Sequence, residues 1–136
     1  MNKSPITCHI LDASLGRPAE GVEIRLQRIE IAADGTMVAH PLAQGSTNSD
    51  GRCVDLLPVK GSQEEQERNT ALQGGQTYKI VFRTKEYFEK TGRTSFYPWV
   101  EHSHVFQIPF TIQKPEEHYH IPLLISPFSF TTYRGS

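Results

Sequence analysis

The chain is most easily bounded by what it lacks. It has no apolar run approaching the roughly 20 residues that a membrane-spanning helix needs. It has no excess of positive charge: 14 Lys and Arg stand against 15 Asp and Glu, for a formal net charge of -1. That balance argues against a nucleic-acid partner, which needs a basic face, and equally against an anionic membrane surface. Cysteine is nearly absent. Cys8 and Cys53 are the only two, too far apart in sequence for a paired metal or redox motif. Cys8 alternates with Ile6 and Ile10, so two buried free thiols in a reducing compartment are expected. There is no Gly-x-Ser-x-Gly elbow and no Gly-rich phosphate cradle. The residues before Ile6 include no signal-peptide core, and the closing Arg-Gly-Ser lacks the peroxisomal Ser-Lys-Leu address. A cytoplasmic location is the expectation, with the peroxisome as the alternative.

What is present suits a single domain over residues 1–136. Of the residues, 37% are hydrophobic and 21% charged, enough to build one core. The dominant hydrophobic period is two. Strands are predicted at 6–12, around Val22, Ile24 and Leu26, at 38–46, 52–57, 78–82, 105–112, 118–125 and 128–134. Gly16 to Gly21, Ala33-Asp34-Gly35 and Asn48-Ser49-Asp50-Gly51 read as turns. The polar stretch from Lys60 to Gln76 reads as a surface loop or a short exposed helix. One helix is expected from Thr84, as its cap, to Gly92, with Glu86 in the first turn and Lys90 in the last. About eight short strands and one helix predict an all-β antiparallel sandwich.

The alternation also assigns faces. His9 points away from Ile6, Cys8 and Ile10, together with Thr7 and Leu11. His118, His120 and Pro122 point away from Tyr119, Ile121, Leu123 and Ile125. His9 and His120, taken alone, each read as an ordinary solvated or hydrogen-bonded strand residue, and Arg52 as an exposed charge at a strand start. The pairs His102-x-His104 and His118-x-His120 raise a metal reading, since i and i+2 on a strand share a face. The end of the chain, Tyr133-Arg134-Gly135-Ser136, follows directly on the apolar run 121–128. It should therefore be held in the fold, bringing a phenol, a guanidinium, a hydroxyl and a carboxylate to one place.

Three segments carry a resemblance over almost the whole chain: Thr7-Cys8-His9-Ile10-Leu11-Asp12 with Gly16-Arg17-Pro18-Ala19; His118-Tyr119-His120-Ile121-Pro122-Leu123-Leu124-Ile125-Ser126-Pro127; and the closing Tyr133-Arg134-Gly135-Ser136. In this order they resemble the 5-hydroxyisourate hydrolases, the transthyretin-related enzymes of purine degradation. Transthyretin itself lacks the two histidines, the arginine and the closing tetrapeptide. The resemblance implies a sandwich of two four-stranded sheets with one short helix. It implies a homotetramer, a dimer of dimers with its sites at the dimer–dimer interface. It implies hydrolysis of the N1–C6 amide of 5-hydroxyisourate to 2-oxo-4-hydroxy-4-carboxy-5-ureidoimidazoline, with no metal or organic cofactor. Carried over by motif, His9, Arg52 and His120 are the expected catalytic residues, one histidine serving as base without a choice between them. Tyr133, Arg134 and Ser136 are the expected substrate-binding residues. The 61–75 stretch and the 99–104 segment depart from the family's pattern. Two other readings compete: a carrier using the same channel without turnover, and a metal-binding sandwich using His102, His104, His118 and His120.

Overall fold

A computed structural model describes residues 3–101 and 110–135. Among the described residues, ten strands and two short helices follow one another. These are β1 (Ile6–Asp12), β2 (Arg17–Pro18), β3 (Glu23–Ile31), β4 (Met37–Ser46), β5 (Arg52–Cys53), α1 (Gln63–Arg68), β6 (Gln76–Phe82), α2 (Thr84–Lys90), β7 (Val100–Glu101), β8 (Thr111–Ile112), β9 (Tyr119–Ser126) and β10 (Ser129–Thr132). They form two sheets. In the first, the order is β10-β9-β1-β2, and the two-residue β5 pairs β1 beside β2. In the second, the order is β4-β3-β6-β7, with β8 pairing β6 beside β7. Each sheet is thus four columns wide, the fourth column being split between two short strands.

Among the described residues the pairing is antiparallel with one exception. β1 and β9 run parallel, in register from Ile6 opposite Tyr119 to Asp12 opposite Ile125. A parallel pair needs a long connection, and here nearly the whole chain separates the two strands. Strand β9 shows strict alternation of buried and half-buried residues, the period-two pattern of a sheet with one face on the core. Ile6, Cys8, Ile10, Ile121, Leu123 and Ile125 face Ile24, Leu26, Tyr78, Ile80 and Phe82 from the other sheet in one buried cluster. Each Ile, Leu and Phe among them contributes roughly 1.5–3 kcal/mol by burial.

Several expectations need adjusting. The predicted strand over 52–57 stops at Cys53, and Leu56 and Leu57 are buried outside any strand. The polar stretch does hold a helix, α1, with the Ser62 hydroxyl accepting from the Glu65 amide. Thr84 is the first helical residue of α2, and Arg83 occupies the cap without a side-chain cap bond. The Thr84 hydroxyl instead donates to the Tyr97 carbonyl at 3.1 Å, so it ties α2 to the following loop. Most of the predicted strand over 105–112, with His102 and His104, lies outside the described residues. Both cysteines are free and buried, directly opposite each other on β1 and β5.

One buried polar network anchors α2 to the sheet. The Asp12 carboxylate is wholly buried and accepts from Tyr87 Oη at 2.8 Å, from Ser14 Oγ at 2.6 Å and from Arg93 Nη2 at 2.5 Å. Burial alone would raise its pKa. The hydrogen bonds from Arg93, Ser14 and Tyr87, with the Arg93 charge, outweigh that and bring it down to about 2.

Candidate active-site cleft

The outer face of the first sheet carries a cleft of about 390 Å³ lined by Lys3, Thr7, Cys8, Arg52, Val54, His118 and His120. The parallel register places Thr7 opposite His120, and the period of two brings His118 to the same side. The Thr7 hydroxyl lies 2.8 Å from His120 Nδ1 and 3.0 Å from His118 Nε2. This bridge explains why Thr7, on an outward-facing position, is buried.

Arg52 reaches the cleft through a tight turn. Asn48 Oδ1 accepts from the amides of Asp50 and Arg52, and the Asn48 amide donates to the Arg52 carbonyl at 2.9 Å. Gly51 has a φ of +74°, and a Cβ there would sit 2.4 Å from the Ile10 carbonyl oxygen. Only glycine meets both conditions. The turn sets Arg52 opposite His9 across β1 and β5, with its side chain exposed at the mouth of the cleft.

The tail runs against His120. The Gly135 amide donates to the His120 carbonyl at 2.8 Å, in an isolated antiparallel bridge. The approach is close: a Cβ on Gly135 would lie 2.7 Å from His120 Cδ2 and 3.1 Å from Pro122 Cγ. The tail backbone therefore rests against the imidazole edge.

The electrostatics have one sign. Burial lowers the His120 pKa below its ordinary 6.5, and the charges of Arg52, His9, His118 and Lys3 lower it further. His118 is lowered too, first by burial and then by Lys3; the Ser4 carbonyl works the other way. His118 Nδ1 is buried and makes no hydrogen bond, so Ser4 lies outside hydrogen-bonding geometry. Among the described residues the cleft lining contains no carboxylate side chain. Such a site favours an anionic or strongly polar ligand, with His120 neutral at pH 7 and able to take a proton.

Of the expected site residues, His120 and Arg52 line the cleft. His9 stands at its edge, paired with Arg52 and close enough to depress His120. Arg134 is not brought there. It stacks on the Tyr119 ring at 4.3 Å and pairs with Glu117 at 3.2 Å, lining a separate cavity of about 380 Å³ with Phe110, Lys114 and Ile121. Tyr119 points to the core side of β9, so a guanidinium stacked on it is turned away from His120. Tyr133 is exposed and is not part of the cleft lining, and Ser136 lies outside the described residues. Among the described residues no group of three or more His, Cys, Asp and Glu side chains could hold a metal ion. His118 and His120 direct one nitrogen each at Thr7 instead. The sequence reading missed Thr7 and Lys3. It treated His118 only as a possible metal ligand, although the shared face of His118 and His120 was already the signal.

The two-sheet sandwich that carries this histidine cleft on an outer sheet face is a transthyretin-type fold. The chain belongs to the HIUase/Transthyretin family, whose pattern matches residues 6–135. It is 41% identical over 133 residues to the 5-hydroxyisourate hydrolase of Mus musculus, covering 98% of this chain and 96% of that one. Among solved structures it is similar to 5-hydroxyisourate hydrolase of Klebsiella pneumoniae, with a TM-score of 0.70, 32% identity, and 98% and 99% of the two chains covered. It is also similar to transthyretin of Sparus aurata, with a TM-score of 0.71, 29% identity, and coverage of 98% and 97%.

Proposed function

We propose that this chain hydrolyses 5-hydroxyisourate in urate degradation, at the cleft formed by His9, Arg52 and His120. One observation carries the reading beyond the names of its relatives. His120 is a pKa-lowered imidazole held by Thr7 in a cleft whose described lining carries Lys3 and Arg52 and no carboxylate side chain. A carrier of apolar hormones has no use for that arrangement, whereas a hydrolase acting on a polar ring needs a neutral base beside a fixed positive charge.

Water loses a proton to His120 while its oxygen adds to the C6 carbonyl. Arg52 stabilises the oxyanion that forms, with the planar fork of donors suited to that task. The C6–N1 bond then breaks, and the proton held by His120, or one from His9, goes to N1 as it leaves. Lys3 adds positive potential at the mouth. The tail backbone at Gly135 supports the His120 ring, and Tyr133 and Ser136 contact the substrate from the same tail. The active assembly is a homotetramer, a dimer of dimers in which the outer sheet faces, and so the clefts, meet. The exposed aromatic edge made by Phe96, Phe128 and Phe130 supplies apolar surface for one contact between subunits.

The test is spectroscopic. Urate oxidase, urate and this protein are mixed, and decay of the ultraviolet band of 5-hydroxyisourate is followed. Decay faster than the spontaneous rate is expected, and an unchanged rate rejects the reading. Light scattering on the purified protein, expected to give four times the 15.4 kDa chain mass, tests the assembly.

A further inference from the structure

We propose that Arg134 is a positioning residue: its guanidinium, seated on Glu117, His118 and Tyr119, clamps the tail to β9 and so keeps the Gly135 backbone against the His120 imidazole. The kinetic consequence rests on the hydrolase reading; the clamp itself does not.

The need for a clamp follows from the register. β10 pairs with β9 from Ser129 opposite Ser126 to Thr132 opposite Leu123. The isolated bridge puts Gly135 opposite His120, which continues the same register. Tyr133 therefore falls opposite Pro122, and proline has no N–H to give to the ladder. Regular pairing ends at Thr132. Beyond it the tail returns to β9 through the Gly135 amide, 2.8 Å from the His120 carbonyl. A chain end held so thinly frays. Here it instead lies so close that a Cβ on Gly135 would come within 2.7 Å of His120 Cδ2.

Arg134 supplies what the ladder lacks. Its Nη2 donates to Glu117 Oε2 at 3.2 Å and to the His118 carbonyl at 3.4 Å. Its guanidinium carbon lies 4.3 Å from the centroid of the Tyr119 ring. These partners are the three residues directly before His120, so the grip acts next to the imidazole it serves. They are themselves fixed. Tyr119 is buried; its amide donates to the Pro5 carbonyl at 2.9 Å and its hydroxyl to the Lys114 carbonyl at 3.1 Å. The Glu117 amide closes a turn onto the same Lys114 carbonyl at 3.0 Å. A planar cation can cover a ring and reach acceptors from its edge at once, which an ammonium cannot do. The side chain of Arg134 thus holds the flank, and Gly135, having none, lets the backbone close on His120.

The test reads the tail directly. Exchange of the Gly135 amide with water is followed by NMR on the whole protein, and decay of enzymatically generated 5-hydroxyisourate is measured beside it. An exposed ion pair or cation–π contact shifts an equilibrium by roughly 1.5- to 5-fold, and the two together by roughly tenfold. Arg134→Ala should therefore speed Gly135 exchange about tenfold and lower kcat/KM at least about threefold, while the Leu123 amide in β9 keeps its wild-type exchange. Arg134→Lys keeps the pair with Glu117 and loses the planar stack, so it should fall between wild type and Arg134→Ala in both readouts. Glu117→Ala should speed Gly135 exchange by roughly 1.5- to 5-fold, and added to Arg134→Ala it should do nothing more, since the pair is already broken. Unchanged Gly135 exchange in Arg134→Ala overturns the clamp, whether or not the chain hydrolyses 5-hydroxyisourate. Faster exchange with kcat/KM lowered less than about threefold overturns the positioning role. Should Arg134→Ala fail to fold, Glu117→Ala, outside the cleft lining, decides: wild-type Gly135 exchange in that variant refutes the grip.

Discussion

Gly135→Ala tests whether the tail is part of the site. The added methyl would lie 2.7 Å from His120 Cδ2, 3.1 Å from Pro122 Cγ and 3.3 Å from the His120 carbonyl oxygen. Carbon atoms rest comfortably at about 3.5–4.0 Å, so the ring or the tail must give by roughly 1 Å. Pro122 cannot yield, because its ring is fixed to the β9 backbone. If the imidazole moves, its 2.8 Å contact with Thr7 is lost and Nε2 leaves its place. If the tail lifts, its hydrogen bond to the His120 carbonyl breaks. A misplacement of about 1 Å at a catalytic group costs on the order of 100-fold in rate. Stability should respond far less. Overpacking costs about 1–3 kcal/mol in a closed core. Here the site is open on one side, and alanine regains about 0.4–1 kcal/mol by restricting the unfolded chain. The net change should be about 1 kcal/mol or less, a Tm shift of roughly 3–5 °C at most. The assay is decay of enzymatically generated 5-hydroxyisourate, with Tm measured on the same sample. Activity within about twofold of wild type, with Tm unchanged, would refute the idea that the tail backbone supports His120.

Arg52→Ala should lower kcat by roughly 100-fold or more by removing the oxyanion donor. It should also move the acid limb of the pH profile upward, because Arg52 is the foremost of the charges that depress His120. Arg52→Lys keeps the charge and loses the fork, so its pH profile should match wild type while its rate remains low; steady-state kinetics across pH separates the two effects. Burial pushes both thiols up, helped at Cys8 by Cys53 and at Cys53 by Asp55. Iodoacetamide at pH 8 should therefore leave the native protein unmodified and label both cysteines in denaturant, as mass spectrometry will count; fast labelling of Cys8 in the native state would refute its burial. Asp12, with its carboxyl lowered from 3.8 to about 2, contributes stability that is complete above the unfolded pKa. That contribution is lost as pH falls from about 4 through 2. Its upper limit is about 2.5 kcal/mol, nearer 1–1.5 kcal/mol once water reaching Arg93 is allowed for. Asp12→Asn should flatten that part of the acid-unfolding curve, and an unchanged pH slope would count against the network.

The strand faces were legible in sequence because the period of two is written in apolar residues. Tyr119, Ile121, Leu123 and Ile125 are core, so His118 and His120 had to face outward, and they do. The strand over 6–12 was legible for the same reason, with Cys8 among its core residues. The connection between these strands was not. Nothing in either segment says that β1 and β9 lie side by side in parallel, and without that pairing Thr7 has no reason to meet two histidines. Arg134 misled for a related reason. A tail delivering several polar groups looks like one site, yet in an extended backbone adjacent side chains leave on opposite sides. Gly135 rests against His120 while Arg134 stacks on Tyr119, so neighbours in sequence serve the cleft and the flank separately. Thr84 looked like a helix cap by residue type, but a buried hydroxyl with the Tyr97 carbonyl in reach had a better partner.

The β1–β9 register ties chemistry to folding more closely than any single residue does. A slip of one residue would turn Tyr119, Ile121, Leu123 and Ile125 to the outside and bring His118 and His120 into the core. The same alternation that stabilises the sandwich therefore presents the imidazoles to the cleft, and the pairing of Thr7 with His120 is a by-product of the pairing of Cys8 with Ile121. Substitutions on the outward face leave that register untouched, which is why His120→Ala and Arg52→Ala should lose activity while the sandwich still folds. Substitutions on the inward face, such as Ile121→Ala at a cost of about 2–5 kcal/mol, strike stability first and activity only as its consequence.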